Sequence, residues 1–339
     1  MTTERAPESY LRLMPKVELH CHLEGSVPAA TAVALARRNG TELPTMDPDT
    51  LYRFDDLEGF LDIYRAVSRA MVSAADFATV TYDSLVDAAR TSNLRYREMA
   101  FNPTNHPGVP LADMLTGISE GIQSAERDCG VVGRIIVAFN REQPPELATE
   151  LVRMVADADS PHVLGVGLDH NELSGPPQLF VDAYAIARAA GLARTAHAGE
   201  RGNVAEVADT IGLLDVDRID HGYAVLQSPD LIRQSIDRGL HYAACWSTSA
   251  FHERGGQVSS PIAAMAAAGL DVSVSSDDPP FFATDIGSEY VQAGESIGWD
   301  RVQARQQVLR TAAATFLPPA EREALCARLA AEFDAYDET

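Results

Sequence analysis

Lysine is almost missing from this chain. Lys16 is the only one in 339 residues, and every other long cationic side chain is an arginine. Acidic residues number 49 against 27 Lys and Arg, a formal net charge of −22. Such a surface lacks the cations that neutralise phosphates, which excludes a nucleic-acid partner. It favours a small neutral or cationic ligand, although high net charge also serves solubility. The four cysteines, Cys21, Cys129, Cys245 and Cys326, are too few and too scattered for a disulfide framework. No apolar run approaches the roughly 20 residues that span a bilayer. Met1 to Pro15 holds no apolar signal-peptide core. These absences lead to the expectation of a soluble, cytoplasmic protein with no membrane partner. Repeats, low-complexity tracts and Pro/Gly/Ser linkers are missing too, so one domain over residues 1–339 is expected. A dinucleotide-type phosphate turn is also lacking, because Gly165-Val166-Gly167 has no third glycine.

What the chain does have is a large apolar fraction, 46%, in alternating short and long patterns. The short runs predict strands at Val17–His22, Tyr96–Phe101, Arg134–Phe139, Val163–Leu168, Ala193–His197, Arg218–His221, His241–Cys245 and Val272–Ser276. Helical periodicity lies between them, at Ala75–Ala89, Leu111–Arg127, Pro145–Ala156, Phe180–Ala190, Val204–Leu214, Pro229–Arg238 and Ile262–Ala268. Eight strands, each followed by helix, predict a closed α/β structure, the (β/α)8 TIM-type barrel. An open doubly wound sheet is the alternative. The long gap after the first strand predicts extra helices, Ala29–Asn39 and Leu57–Met71, over the barrel mouth. Two or three more helices follow the eighth strand.

Polar residues gather at the C-terminal strand ends, where barrel enzymes place their chemistry. The first strand ends His20-Cys21-His22, and residues i and i+2 of a strand share a face. Two imidazoles aimed at one point suit a metal. His197 ends the fifth strand, His221 the sixth, and Asp277-Asp278 follows the eighth. Three histidines and a carboxylate suit Zn2+, with an open position for water. Glu200, just beyond His197, is placed for general acid–base work. His221 has three candidate roles: a further ligand, a base, or an orienter of water. Of the two adjacent aspartates, one can meet the metal and the other a substrate. Many barrel hydrolases that carry His-x-His hold two metals bridged by a carboxylated lysine on strand four. Strand four here has no lysine, so one zinc per chain is expected.

Four motifs in order make the chain resemble the adenosine/adenine deaminase family. They are Pro15-Lys16-Val17-Glu18-Leu19-His20-Cys21-His22-Leu23-Glu24-Gly25, Thr195-Ala196-His197-Ala198-Gly199-Glu200, Arg218-Ile219-Asp220-His221-Gly222 and Ser276-Asp277-Asp278-Pro279. The resemblance implies zinc-dependent hydrolysis of the 6-amino group of a purine. It implies His20, His22, His197 and Asp277 as zinc ligands. Glu200 protonates purine N1, His221 orients the attacking water, and Asp278 bonds N7. Glu24 and Asp220 resemble the adenine subgroup; adenosine-type members have an aspartate reaching the ribose at the first position and glycine at the second. The segment Asp169-His170-Asn171-Glu172 is expected at the substrate, near purine N3. His170 stands where the family has glycine or serine, and Trp246 replaces the proline that usually follows Cys245. Both are candidate substrate-selecting side chains. They leave room for a modified or N6-substituted adenine, an unusual nucleoside, or another mononuclear-metal amidohydrolase activity. Thr104-Asn105-His106 is a weaker pocket candidate.

Overall fold

The computed structural model describes residues 5–158, 160–252 and 261–337. Eight parallel strands follow one another round one sheet. They are β1 (Lys16–His22), β2 (Leu94–Phe101), β3 (Val132–Asn140), β4 (Val163–Asp169), β5 (Ala193–Ala198), β6 (Arg218–His221), β7 (His241–Cys245) and β8 (Asp271–Ser275). The strands are largely buried and rich in Val, Ile, Ala and Gly, as expected where helices cover one face and the barrel interior the other. The sheet closes between β8 and β1 by a parallel bridge, Cys21 to Asp277. There the His22 N–H donates to Asp277 O (3.0 Å), and the Asp277 N–H donates to His20 O (3.2 Å). The arrangement is the (β/α)8 barrel that the alternating pattern predicts.

Two irregularities in the sheet shape its upper end. Between Glu18 and Cys21, β1 carries one residue more than β2, which pairs Arg97 and Met99 with them. This bulge shifts the side-chain alternation. Glu18 faces Arg97 under the surrounding helices, whereas Leu19 and His20 both line the interior. The ladder between β4 and β5 is short, with Gly165 on Ala193 and Val166 on Arg194. Arg141 bridges the gap above it: its Nε donates to Asp169 O (3.2 Å) and its Nη2 to His197 O (2.6 Å).

The helices form for local reasons and pack for long-range ones. The Asp56 carboxylate caps helix Leu57–Arg69 by accepting from Gly59 N, and Ser73 caps helix Ala74–Ser92. Helix Leu57–Arg69 lies over the mouth, where Leu57, Phe60, Leu61 and Tyr64 line its cavity. Helix Ala29–Asn39 does not. It packs beside helix Ala74–Ser92, tied by the Arg38–Asp76 ion pair. The predicted helix Val204–Leu214 is an α-helix to Asp209 followed by a π-helical turn, Thr210–Leu214. The wider turn keeps Ile211 and Leu214 buried. Three helices end the described chain: Ile286–Ile297, Arg301–Ala313 and Pro319–Asp337. Among the described residues no helix is long and apolar enough to cross a membrane.

Candidate functional site

The bulge in β1 and the seam with β8 together converge four donor atoms. His197 Nε2 lies 3.2 Å from both His20 Nε2 and His22 Nε2. Asp277 Oδ1 lies 3.3 Å from the same two nitrogens. Ligands that share one centre with bonds of about 2.1 Å show donor separations of this order. The ring orientations agree with that use. His20 Nδ1 stands 3.1 Å from Ala243 O, where it donates and leaves Nε2 with a lone pair. Behind the other two rings stand carboxylates, Asp169 Oδ2 at 3.7 Å from His22 Nδ1 and Asp220 Oδ2 at 3.8 Å from His197 Nδ1. The imidazoles and the carboxylate are buried and face one another; the close-set groups that could hold an ion are His20, His197, His221 and Asp277, and His22, Asp277 and Asp278, a donor chemistry that fits a divalent metal.

The electrostatics follow from crowding carboxylates around buried imidazoles. Burial lowers the pKa of His20, but Asp220 and Asp277 outweigh it and raise the group to about 9. His22 is raised in the same way, with Asp278 and Asp277 overcoming burial. His197 moves down, through burial and the neighbouring histidines. Burial pushes Asp277 up, yet His20, His22 and His221 hold it well below the carboxylate range. Thr248 Oγ1 donates to its second oxygen at 2.8 Å. Thr248 sits on the short helix Trp246–His252, and that helix start is held by Glu289, which accepts from Trp246 N (2.7 Å) and Ser247 N (3.3 Å). Burial raises Glu289 to about 7.

Above these donors lies a cavity of about 130 Å3, whose lining includes Glu200, His221, Asp277 and Asp278. His221 has φ +66, and its Nε2 stands 3.6 Å from Glu200 Oε1 and 3.9 Å from Asp277 Oδ2. Gly199, before Glu200, has φ +73, and a Cβ there would stand 2.4 Å from Val207 Cγ2. Only glycine lets the loop turn so close to its neighbours. At Gly25 a Cβ would fall 1.5 Å from Asp278 Oδ1, so the missing side chain is what gives Asp278 its place. Asp278 Oδ1 has no hydrogen-bond partner in the protein, and burial, then Asp277, pushes the carboxyl up to about 8. Glu172 accepts from Glu200 N (3.0 Å) and Arg201 N (3.4 Å), and so holds the loop that carries Glu200. Burial and the charge of Glu200 raise Glu172 to about 7.

The structure brings together His20, His22, His197, His221, Glu200, Asp277, Asp278, Asp169, His170 and Glu172, and it separates two other expected residues from the cavity. Glu24 is fully buried behind it, where Oε1 accepts from Asn102 N (3.0 Å) and faces His106 Nε2 (3.1 Å). Trp246 is half-buried and packs against the core, with its backbone on Glu289, and it does not line the cavity. The tertiary position of the new helix turns that side chain away. His170, by contrast, does line the cavity. Its φ is +69, and its Nδ1 stands 2.7 Å from Asp169 Oδ1. His106 is buried under Glu24 rather than in the pocket. Sequence reasoning missed the apolar wall of Leu57, Phe60, Tyr64 and Phe282 as pocket residues, and missed Thr248, Glu289 and Arg141 as their supports. The periodicity of Leu57, Phe60, Leu61 and Tyr64 on one helix face was the available signal for the wall.

Comparison with known proteins shows the family. The profile of the adenosine deaminase family matches residues 15–332. An adenine deaminase of Streptomyces coelicolor is 33% identical over 341 residues, covering 98% of each chain. A zinc-bound amidohydrolase of Burkholderia ambifaria superposes with a TM-score of 0.90 at 32% identity, over 98% of this chain and 93% of that one. The crystal structure of adenine deaminase from Arthrobacter aurescens gives 0.86 at 30% identity, over 96% of this chain and all of the other (100%). Barrel, donor set and full-length similarity lead to one assignment: this chain is an enzyme of the adenosine deaminase family.

Proposed function

We propose that the enzyme hydrolyses the 6-amino group of a free purine base, adenine, to the 6-oxopurine and ammonia, using one zinc ion per chain. The observation that carries this reading is the convergence of the His20, His22, His197 and Asp277 donors beneath a cavity that also holds Glu200, His221 and Asp278. The relatives named adenine deaminase support the same reaction. Zinc, when bound, supplies Lewis acidity and lowers the pKa of water toward about 7.

The chain's own residues do the rest. Glu200 protonates purine N1, which makes C6 electrophilic; the carboxylate so formed takes up the proton that the attacking water loses and passes it to the departing amine. His221, within 3.6 Å of Glu200 and 3.9 Å of Asp277, orients the attacking water between them. Asp278 hydrogen-bonds N7. A C–O bond forms at C6, the C–N bond breaks, and ammonia leaves. The apolar wall of Phe60, Tyr64 and Phe282 covers the ring and keeps bulk water out.

Two features support the free base over a nucleoside. Glu24 is engaged by Asn102 and His106, so no carboxylate at that position reaches a ribose. His170 keeps Nδ1 at 2.7 Å from Asp169 Oδ1 while its ring lines the cavity, which leaves Nε2 to face a bound purine. With N1 at Glu200 and N7 at Asp278, the purine turns its N3–N9 edge away from C6 and toward the cavity mouth. A free base offers a ring N–H there, and a nucleoside offers a sugar. The test is ammonia release from adenine, adenosine, 2′-deoxyadenosine, N6-methyladenine and AMP by zinc-loaded enzyme. Adenine is the expected substrate, and Glu200→Gln is expected to lower its turnover by about 10²–10⁴-fold. Adenosine turnover equal to that of adenine would overturn the free-base assignment. A zinc-replete enzyme that releases ammonia from none of the five would overturn the reaction itself.

A further inference from the structure

The register of β5 on β6 sets Asp220 beside His197, and the two are directly paired across the ladder. Asp220 is 5% exposed. Its Oδ2 accepts from Thr195 Oγ1 at 2.7 Å and lies 3.8 Å from His197 Nδ1. Its Oδ1 has no partner and lies 3.8 Å from Arg218 Nε, which is also unpartnered, as is Arg218 Nη1. Arg218 is itself anchored lower down. Its Nη2 donates to Glu98 Oε2 (2.6 Å), and its guanidinium carbon sits 4.0 Å from the centre of the Phe316 ring. Glu98 Oε1 accepts from Tyr96 Oη (2.9 Å) and Phe316 N (2.8 Å). Below His197, a column of alternating charge thus runs through Asp220, Arg218 and Glu98.

A small cavity of about 10 Å3 lies beside this column, and its lining includes His197, Asp220, Arg218 and Thr195. That is roughly the room one water needs, and several polar partners stand around it. Separations of 3.8 Å are too long for direct hydrogen bonds but suit a bridge. A histidine that binds a metal through Nε2 must keep its proton on Nδ1, and a carboxylate behind it fixes both that tautomer and the ring plane. Arg218, itself paired with Glu98, is the cation beside that buried carboxylate.

We propose that Asp220 is a positioning residue for His197, acting through Nδ1 and backed by the Arg218–Glu98 pair. The inference rests on the metal centre proposed above. Asp220 touches neither the reacting atoms nor the cavity that would hold the purine.

Metal affinity tests it, read by chelator competition with zinc, together with the visible spectrum of the cobalt(II)-substituted enzyme. Asp220→Asn is expected to weaken zinc binding by about 10–100-fold and to shift the cobalt bands, with the melting temperature of the metal-free protein unchanged. Thr195→Val leaves the carboxylate in place and removes only its hydrogen bond. It is expected to weaken binding in the same direction but less, and it serves if Asp220→Asn does not fold. Zinc affinity within twofold of wild type and unshifted cobalt bands in the folded variants would overturn the proposal. Wild-type enzyme that takes up no zinc would instead overturn the metal centre.

Discussion

The two ends of this barrel treat buried charge in opposite ways. At the N-terminal end Lys16 and Glu18 are each engaged by several donors or acceptors, although Arg218 Nε and Nη1 are not. The Lys16 ammonium donates to Arg12 O, Met14 O and Ser92 O at 2.7, 2.8 and 3.1 Å, and burial lowers its pKa well below the usual lysine value. Glu18 accepts from Arg97 Nε through one oxygen and from Ser276 N (2.7 Å) and Oγ through the other. At the C-terminal end, buried polar atoms are left without protein partners: His22 Nδ1, Asp169 Oδ2, Asp278 Oδ1 and Asn102 Oδ1 among them. An unsatisfied buried group costs about 1–3 kcal/mol. The closed hydrogen-bond sets at one end therefore stabilise the barrel, while the open sets at the other are held ready for what binds there. Stability and chemistry are separated along one axis.

Substitutions at the two ends sharpen this contrast. The largest effect is expected at the upper end. Asp277→Asn should lower kcat/KM by more than the 10–100-fold typical of supporting residues around a metal. Its backbone still closes the seam, so the metal-free melting temperature should stay near that of wild type. Lys16→Met at the lower end should do the reverse. Three carbonyls lose their donor, at a cost of about 1–3 kcal/mol for each that finds no water. Denaturant unfolding should register the loss, and kcat/KM of the folded fraction should not change. A Lys16 variant with lost activity and full stability would break the comparison.

Glu289 complicates the contrast, because it is a fully engaged carboxylate at the reactive end. Burial raises it to about 7 from an ordinary 4.5, despite bonds from Ser247, Thr284 and Trp246. Between those values the folded state holds a proton that the unfolded state has released. Stability from this group therefore falls as pH rises from about 4.5 to 7, by up to about 3 kcal/mol. Glu289→Gln removes the titration, so unfolding free energies measured across that window should show a shallower decline. An unchanged slope would mean that Glu289 ionises normally in the folded protein.

The smallest effect is expected at His170, the side chain with backbone at φ +69 that faces the cavity. His170→Gly should raise stability by up to about 1 kcal/mol, because glycine meets no penalty there. The same change should narrow any preference for adenine over 9-methyladenine, which lacks the ring N–H. Gain of stability with loss of selectivity would place the strain on the functional side of the comparison. Loss of stability would show that the bond to Asp169 outweighs the backbone cost.

The legible parts of the fold and site were those written locally. Strand runs such as His241–Cys245 and helix Pro229–Arg238 keep their predicted bounds, because period and capping residues are read within a few positions. The convergence of His20, His22, His197 and Asp277 was legible for the same reason, as polar residues ending apolar strands, and the structure sets these side chains together. The bulge at Leu19–His20 was not, because it depends on how β1 meets β2. Glu24 and Trp246 sit in informative local motifs, yet their side chains are directed by Asn102 and by the Glu289-held helix, far away in sequence. Thr248, Glu289 and Arg141 carry no local signal, since each matters only through a partner brought by the fold.

The seam between the first and last strands has a consequence for how the enzyme comes into being. His20 and His22 are synthesised long before Asp277, with strands β2 to β8 between them. The backbone bonds that join them are the ones that shut the barrel. A nascent or truncated chain therefore cannot assemble the complete donor set, however well its first strands have formed. Closing so distant a contact is entropically late, so the last act of folding is also the first moment at which the protein can become an enzyme.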